Sequence, residues 1–254
     1  VAQAAMDSGI ASRPLTDLEA YRLQLGQYIY RSGLAMRPVF AKAKADPKRI
    51  AYAEGEEERI LRAVQSVVDE KLAHPILIGR PAVIKSRIQK LGLRLTFDKG
   101  VTVVDPENDS RFTQYWQAFH QLVNRKGVSP EFAKSLVRTN TCVIGALMVH
   151  LGDADGVICG PVGRYRNHLE VLENVIGLRD GVTKPASLTM MTMAMGQYFI
   201  GDGYVNQDPS AKELSEFTLM AAQQIERFGV VPKIALLSHS NFGTLDNECS
   251  QKMR

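Results

Sequence analysis

Cysteine is scarce: three residues in 254, at positions 142, 159 and 249. None has CxxC spacing and two sit inside apolar runs, so a disulfide scaffold is excluded. The three read as reduced, buried thiols of a cytoplasmic protein. Charge of one sign is also missing: 31 basic residues face 27 acidic ones, dispersed along the chain, for a net +4. That imbalance is too weak for a nucleic-acid partner. No signal peptide opens the chain. The longest apolar run, around Cys142 to Leu151, is about half of what a membrane span needs, so no membrane partner is expected. Absent as well are GxxxxGK[ST], GxGxxG after a strand, HExxH and GxSxG, which removes the common nucleotide and hydrolase signatures. The five histidines, at 74, 120, 150, 168 and 239, show no metal-ligand spacing, and no metal site is expected in the chain.

What remains is a globular composition, 45% hydrophobic over 254 residues, enough for one large or two ordinary domains. The chain is organised around Asp155 to Gly177, DGVICGPVGRYRNHLEVLENVIG. Gly156 to Cys159 suit a buried parallel strand, and Gly160, Pro161 and Gly163 break it. Leu169, Leu172, Val175 and Ile176 then fall three or four apart, which predicts a helix with one buried face. The first turn of that helix carries Arg164 and Arg166. Cations there oppose the helix dipole by roughly 0.3 to 1 kcal/mol. A bound anion would resolve the conflict, with backbone N–H groups and two guanidiniums around it; the plainer reading is two solvated arginines.

Residues 1 to 45 read as a helical connector. Thr16 with Glu19 forms a capping box before a helix through Leu23 and Tyr28, and a second helix is predicted from Pro38 to Ala45. From Arg49 strands and helices alternate: IAYAEG, a helix with Ile60, Leu61, Val64, Val67, Val68 and Leu72 inward, PILIG, a helix from Pro81, and VTVVD. This is the rhythm of a parallel sheet with covering helices, and Glu56 to Glu58 serve the dipole of the first helix. SRFTQYWQAFHQLVNRKG predicts a helix packing Phe112, Tyr115, Trp116, Phe119, Leu122 and Val123, closed by Gly127. Ser129 and Pro130 open a helix predicted to run unbroken to Gly152.

Beyond Gly177, two strands are predicted to meet near Gly196, with Met190, Met191, Met193 and Met195 as packing residues. Ser210 and Glu213 cap a helix that ends at Gly229. KIALLSHSNFG reads as a buried strand followed by Ser238, His239, Ser240 and Asn241, the kind of position at which open parallel sheets collect ligands. The second half is short of strands, so the domain is expected to continue past Arg254; a cut start is expected too, since Val1 is not a methionine. The expected division is 1–45 as connector, 46–155 as a first α/β lobe and 156–254 as a second.

IAYAEGEEERILRA, PILIGRPAVI, ADGVICG before a helix, DGYVNQDPSAKEL and KIALLSHSNFG together resemble the phosphate acetyltransferase and butyryltransferase family, in order from about residue 46 to the end. The opening VAQAAMDSGIASRPLTDLEAYRLQL, with GPVGRYRNHL and SHSNFG, is similar to the version of that module fused behind the catalytic part of bacterial NADP-dependent malic enzymes. The resemblance implies a two-lobed, three-layer α/β/α sandwich with mostly parallel sheets. It implies a cleft for coenzyme A or its acyl ester and a homo-oligomer, dimerising through the second lobe. The contacts it points to are Gly160, Gly163, Arg164, Tyr165, Arg166, Ser238, Ser240, Asn241 and Lys252. NADP and the divalent metal are expected only upstream of Val1.

Where active family members place two arginines, this chain has Val123 and Glu170, and the family's catalytic serine and aspartate fall in a segment past Arg254. Valine cannot hold a phosphate, and glutamate repels one. The expected role is therefore acetyl-CoA binding that regulates a malic enzyme, without catalytic residues in this chain. An active acyltransferase and a purely oligomerising module are the alternatives.

Overall fold

A computed structural model describes residues 2–10, 15, 17, 21, 33–97, 100–193 and 196–254. The predicted Thr16–Glu19 capping box, its helix through Leu23 and Tyr28, and Met195 lie outside the described residues. The chain divides into two compact units, Ala41–Gly181 and a second made of Val1–Phe40 with Val182–Arg254. The division anticipated at 155/156 falls inside the first unit, because the strand that starts at Gly156 is hydrogen-bonded into its sheet.

Helices α1 (Ala2–Asp7) and α2 (Gly33–Ala45) come first. α2 starts five residues before the predicted Pro38, which lies inside it at the expense of one backbone hydrogen bond. In the first unit four strands, β1 (Lys48–Tyr52), β2 (Ala73–Ile78), β3 (Thr102–Val104) and β4 (Gly156–Ile158), form one sheet. The strand order is β3-β2-β1-β4 and every pairing is parallel. The two-residue alternation of a strand splits its side chains between two cores. Tyr52 and Leu77 face a cluster with Ile60, Leu61 and Val64 of α3 (Glu58–Asp69) and Ile84 and Ile88 of α4 (Pro81–Lys90). Ala51, Ile76, Ile78 and Val104 face the other cluster, built from α5 (Phe112–Val123), α6 (Pro130–Thr139), α7 (Thr141–His150) and α8 (Tyr165–Val175). The unit is thus a three-layer α/β/α sandwich, an α/β fold as expected.

Three expectations change in this unit. The long helix from Ser129 to Gly152 is two helices: Asn140 leaves the helical conformation at φ −118° and ψ 99°, and its side chain accepts from the N–H groups of Cys142 and Val143. Leu122 does not join the buried face of α5, which holds Tyr115, Phe119 and Val123. β4 is not fully buried: it stands at the sheet edge among the described residues, and Ile158 is exposed.

In the second unit β5 (Leu188–Met193) and β6 (Gly196–Gly201) pair antiparallel, as predicted. Helix α9 (Ala211–Glu226) carries the full capping box, Ser210 accepting from the Glu213 N–H while the Glu213 side chain accepts from the Ser210 N–H. The strand predicted at Lys233–Leu237 does not form: Val231 is 83% and Leu237 80% exposed, and the segment has no ladder partner among the described residues. A buried parallel strand takes its shape from flanking strands and covering layers, and the strands described here pair only with each other. Helix α10 (Glu248–Lys252) ends the chain. No helix among the described residues is long and apolar enough to cross a membrane.

Candidate functional site

Chain direction along the sheet reverses beside β1: its successors β2 and β3 lie on one side, and β4 returns on the other. Open α/β sheets leave a crevice at the strand C-termini where the order reverses. Here Glu54 follows β1, and Cys159 and Gly160 follow β4. Ala53 N–H donates to the Ile158 carbonyl at 3.0 Å, and Gly160 N–H donates to Glu54 Oε1 at 2.9 Å. The glutamate therefore occupies the Gly160 N–H that the sequence assigned to a phosphate.

The turn that follows depends on its glycines. Gly160 has φ +121° and Gly163 φ +102°, and a Cβ on Gly163 would lie 3.0 Å from His168 Nε2. Arg164 is the N-cap of α8 with extended backbone, makes no side-chain capping bond, and no acidic residue follows in the first turn. The guanidiniums of Arg164 and Arg166 are exposed and make no hydrogen bond or ion pair among the described residues. Tyr165 is half exposed beside them. Of the two positions at which the family resemblance implies arginines, Val123 lies inside the core of the helical layer and Glu170 is exposed on α8. Neither offers a cation.

The predicted residues of the second unit are tied to one another. Ser240 N–H donates to Ser238 Oγ at 3.2 Å, and Ser240 Oγ accepts from Leu245 N–H at 3.0 Å. Asn241 opens a short 3-10 turn, and Asn247 Nδ2 donates to His239 Nε2 at 3.1 Å. Lys252 is ion-paired with Asp208, so it is not the free cation the sequence assigned to a phosphate.

Beside the Gly160 turn stands a group that sequence spacing does not disclose. Cys142 of α7, Cys159 after β4 and His168 of α8 bring one ligand atom each to within 4.8 Å of one another, the one such group of three among the described residues. The hydrogen bond from the Cys142 thiol, against burial and aided by His168, brings the Cys159 thiol down to about 7. The same bond and burial push Cys142 up. Glu54 Oε1 lies 4.0 Å from His168 Nε2, while Glu54 Oε2 is buried without a hydrogen-bond partner. The expectation of three buried thiols holds for Cys142 alone; Cys159 is half-buried and Cys249 exposed. Separations of 17 and 9 residues match no ligand motif, because the three side chains come from three elements joined only by the fold. The one hint was that Cys159 and His168 flank the same glycine turn.

Residues 34–254 match the phosphate acetyl/butaryl transferase family, and the chain belongs to it. In fold, the chain resembles a solved EutD phosphotransacetylase from Staphylococcus aureus, with a TM-score of 0.76 and 25% identity over 86% of this chain and 65% of that one. Its whole length is 48% identical to the NADP-dependent malic enzyme of Escherichia coli strain K12, covering 34% of that protein. It is also 49% identical over its whole length to a NAD-dependent malic enzyme of Rhizobium meliloti, covering 33%. The chain thus spans about one third of the curated relatives it matches.

Proposed function

We propose that this chain is the acyl-CoA-sensing portion of a malic-enzyme polypeptide, one that converts malate to pyruvate and CO2 with a nicotinamide cofactor bound elsewhere. Acetyl-CoA is the proposed effector, and the chain acts without transferase chemistry of its own. The carrying observation is the start of α8: an N-terminus with no capping side chain and no acid, bearing two exposed guanidiniums that pair with nothing described. Such a start favours an anion, and phosphate groups of a coenzyme A moiety fit both the dipole and the planar donors. Because Glu54 holds the Gly160 N–H, the phosphate contact falls to Arg164 and Arg166, with Gly163 allowing close approach and Tyr165 stacking.

Transferase chemistry needs the acyl phosphate and thiol held together and the developing charge stabilised. Val123 in the core and Glu170 at the surface offer no cation for this at the two positions where the family resemblance implies arginines. Regulation requires the ligand to prefer one arrangement of the parent assembly, a homo-oligomer in this reading, over another.

Calorimetry with acetyl-CoA on the full chain tests the reading. Binding at millimolar concentration or tighter is expected, weakened about tenfold or more by Arg164→Ala and again by Arg166→Ala, the loss of a charge-assisted hydrogen bond each. No heat at millimolar acetyl-CoA overturns it. Thiol-dependent turnover of acetyl phosphate would replace it with the active acyltransferase.

A further inference from the structure

The Cys142, Cys159 and His168 group lies outside the anion site and is not used by it. We propose that these three side chains form a binding site for a zinc-class divalent metal ion, with the fourth position left to water or an anion.

The donor set favours such an ion: two sulfurs and one imidazole are ligands that tetrahedral zinc takes in proteins, and three protein ligands leave one position open. The His168 ring supplies the arrangement that orients a ligating histidine. Its Nε2 lies 2.7 Å from the Val162 carbonyl, so Nε2–H donates there and Nδ1 keeps the lone pair. Gly163 leaves that ring its room, since a Cβ there would meet Nε2 at 3.0 Å.

Glu54 gives an independent reason. One carboxylate oxygen is satisfied by Gly160 N–H and lies 4.0 Å from His168 Nε2, and the other is buried and unpartnered. A buried acceptor left unmatched is costly, and a cation held by the neighbouring group lowers that cost through its charge. Ligand atoms within 4.8 Å of one another need modest contraction, because zinc bonds of about 2.0 and 2.3 Å imply tetrahedral edges of about 3.5 to 3.8 Å. Rotation of the half-buried Cys159 side chain supplies part of that movement. An ion here would join helix α7, the end of β4 and helix α8.

The test is made on the full chain, reduced and stripped with chelator, then titrated with Zn2+ against a chromophoric chelator and, in parallel, with Co2+. One equivalent of zinc per chain is expected, with a rise in the thermal midpoint. The cobalt form should show tetrahedral ligand-field bands and thiolate-to-cobalt charge transfer. Cys159→Ser should lower the charge-transfer intensity, and His168→Gln should weaken zinc by about tenfold or more; Cys249→Ser should change nothing. These positions are outside the apolar core that surrounds Cys142, and circular dichroism of each metal-free variant checks its fold. Absence of stoichiometric binding, or binding unaffected by Cys159→Ser and His168→Gln, overturns the proposal. So does oxidation of Cys142 and Cys159 to a disulfide in a protein that takes no zinc when reduced. None of these readouts involves acyl-CoA, so this site and the sensing role can fail separately.

Discussion

Asp202 shows how much one side chain organises. It accepts from Ser187 N–H at 3.0 Å, Ser187 Oγ at 2.6 Å, Val205 N–H at 3.3 Å, Asn206 N–H at 2.9 Å and Asn206 Nδ2 at 2.6 Å. Burial alone would raise its pKa, but the bonds from Ser187 and Asn206 outweigh burial and hold it at about 2. Since the folded value lies below the unfolded one, the stabilisation is complete above about pH 4 and fades as the pH falls through about 2. Asp202→Asn should cost about 2 kcal/mol by urea denaturation at pH 7 and flatten the acid limb of the stability profile. Gly55 is constrained by space: an added Cβ would lie 2.8 Å from both the N and the O of Ile78. Gly55→Ala should destabilise by about 1 to 3 kcal/mol in the same assay. The sequence carries the DGYVNQDP segment that holds Asp202, but not the distant Ser187 that completes its bonding.

Helix and strand types were legible where amphipathic period and caps agree, and boundaries were lost where an apolar run hides a local signal. The Ser210 and Glu213 box worked as read because both halves lie within one turn. The run from Ser129 to Gly152 misled because its apolar continuity conceals Asn140, whose side chain takes the first N–H groups of α7. Asn140→Ala should lose about 1 kcal/mol, visible as a lower thermal midpoint with the helix content little changed. The segment at Lys233–Leu237 misled for a different reason: its apolar residues suit a strand, but strand structure requires a neighbour to pair with. Glu56, read as serving a helix start, instead holds Arg80 in an ion pair that keeps its carboxyl below the usual range.

At the scale of the molecule, two ligands are expected to act through linkage. A ligand that binds only the folded state stabilises it by about 2.7 kcal/mol at 100 times its Kd. Acetyl-CoA should therefore raise the thermal midpoint of the full chain, and the Arg164→Ala and Arg166→Ala double variant should lose that rise while keeping the unliganded midpoint. A midpoint insensitive to acetyl-CoA in the wild-type chain would contradict the sensing role.

The sequence alone settled the α/β class, the parallel rhythm of the first unit, the family and the two arginines at a helix start. Hydrophobic period, caps and turn residues are local, and motif order survives without coordinates. The tertiary structure decided what depends on distance between elements. It paired β4 with β1, placed Glu54 on the Gly160 N–H that a phosphate was expected to use, buried Val123, and gave Lys252 to Asp208. It also gathered Cys142, Cys159 and His168 from three elements. Such meetings follow from strand order and packing, which bring residues far apart in the chain together.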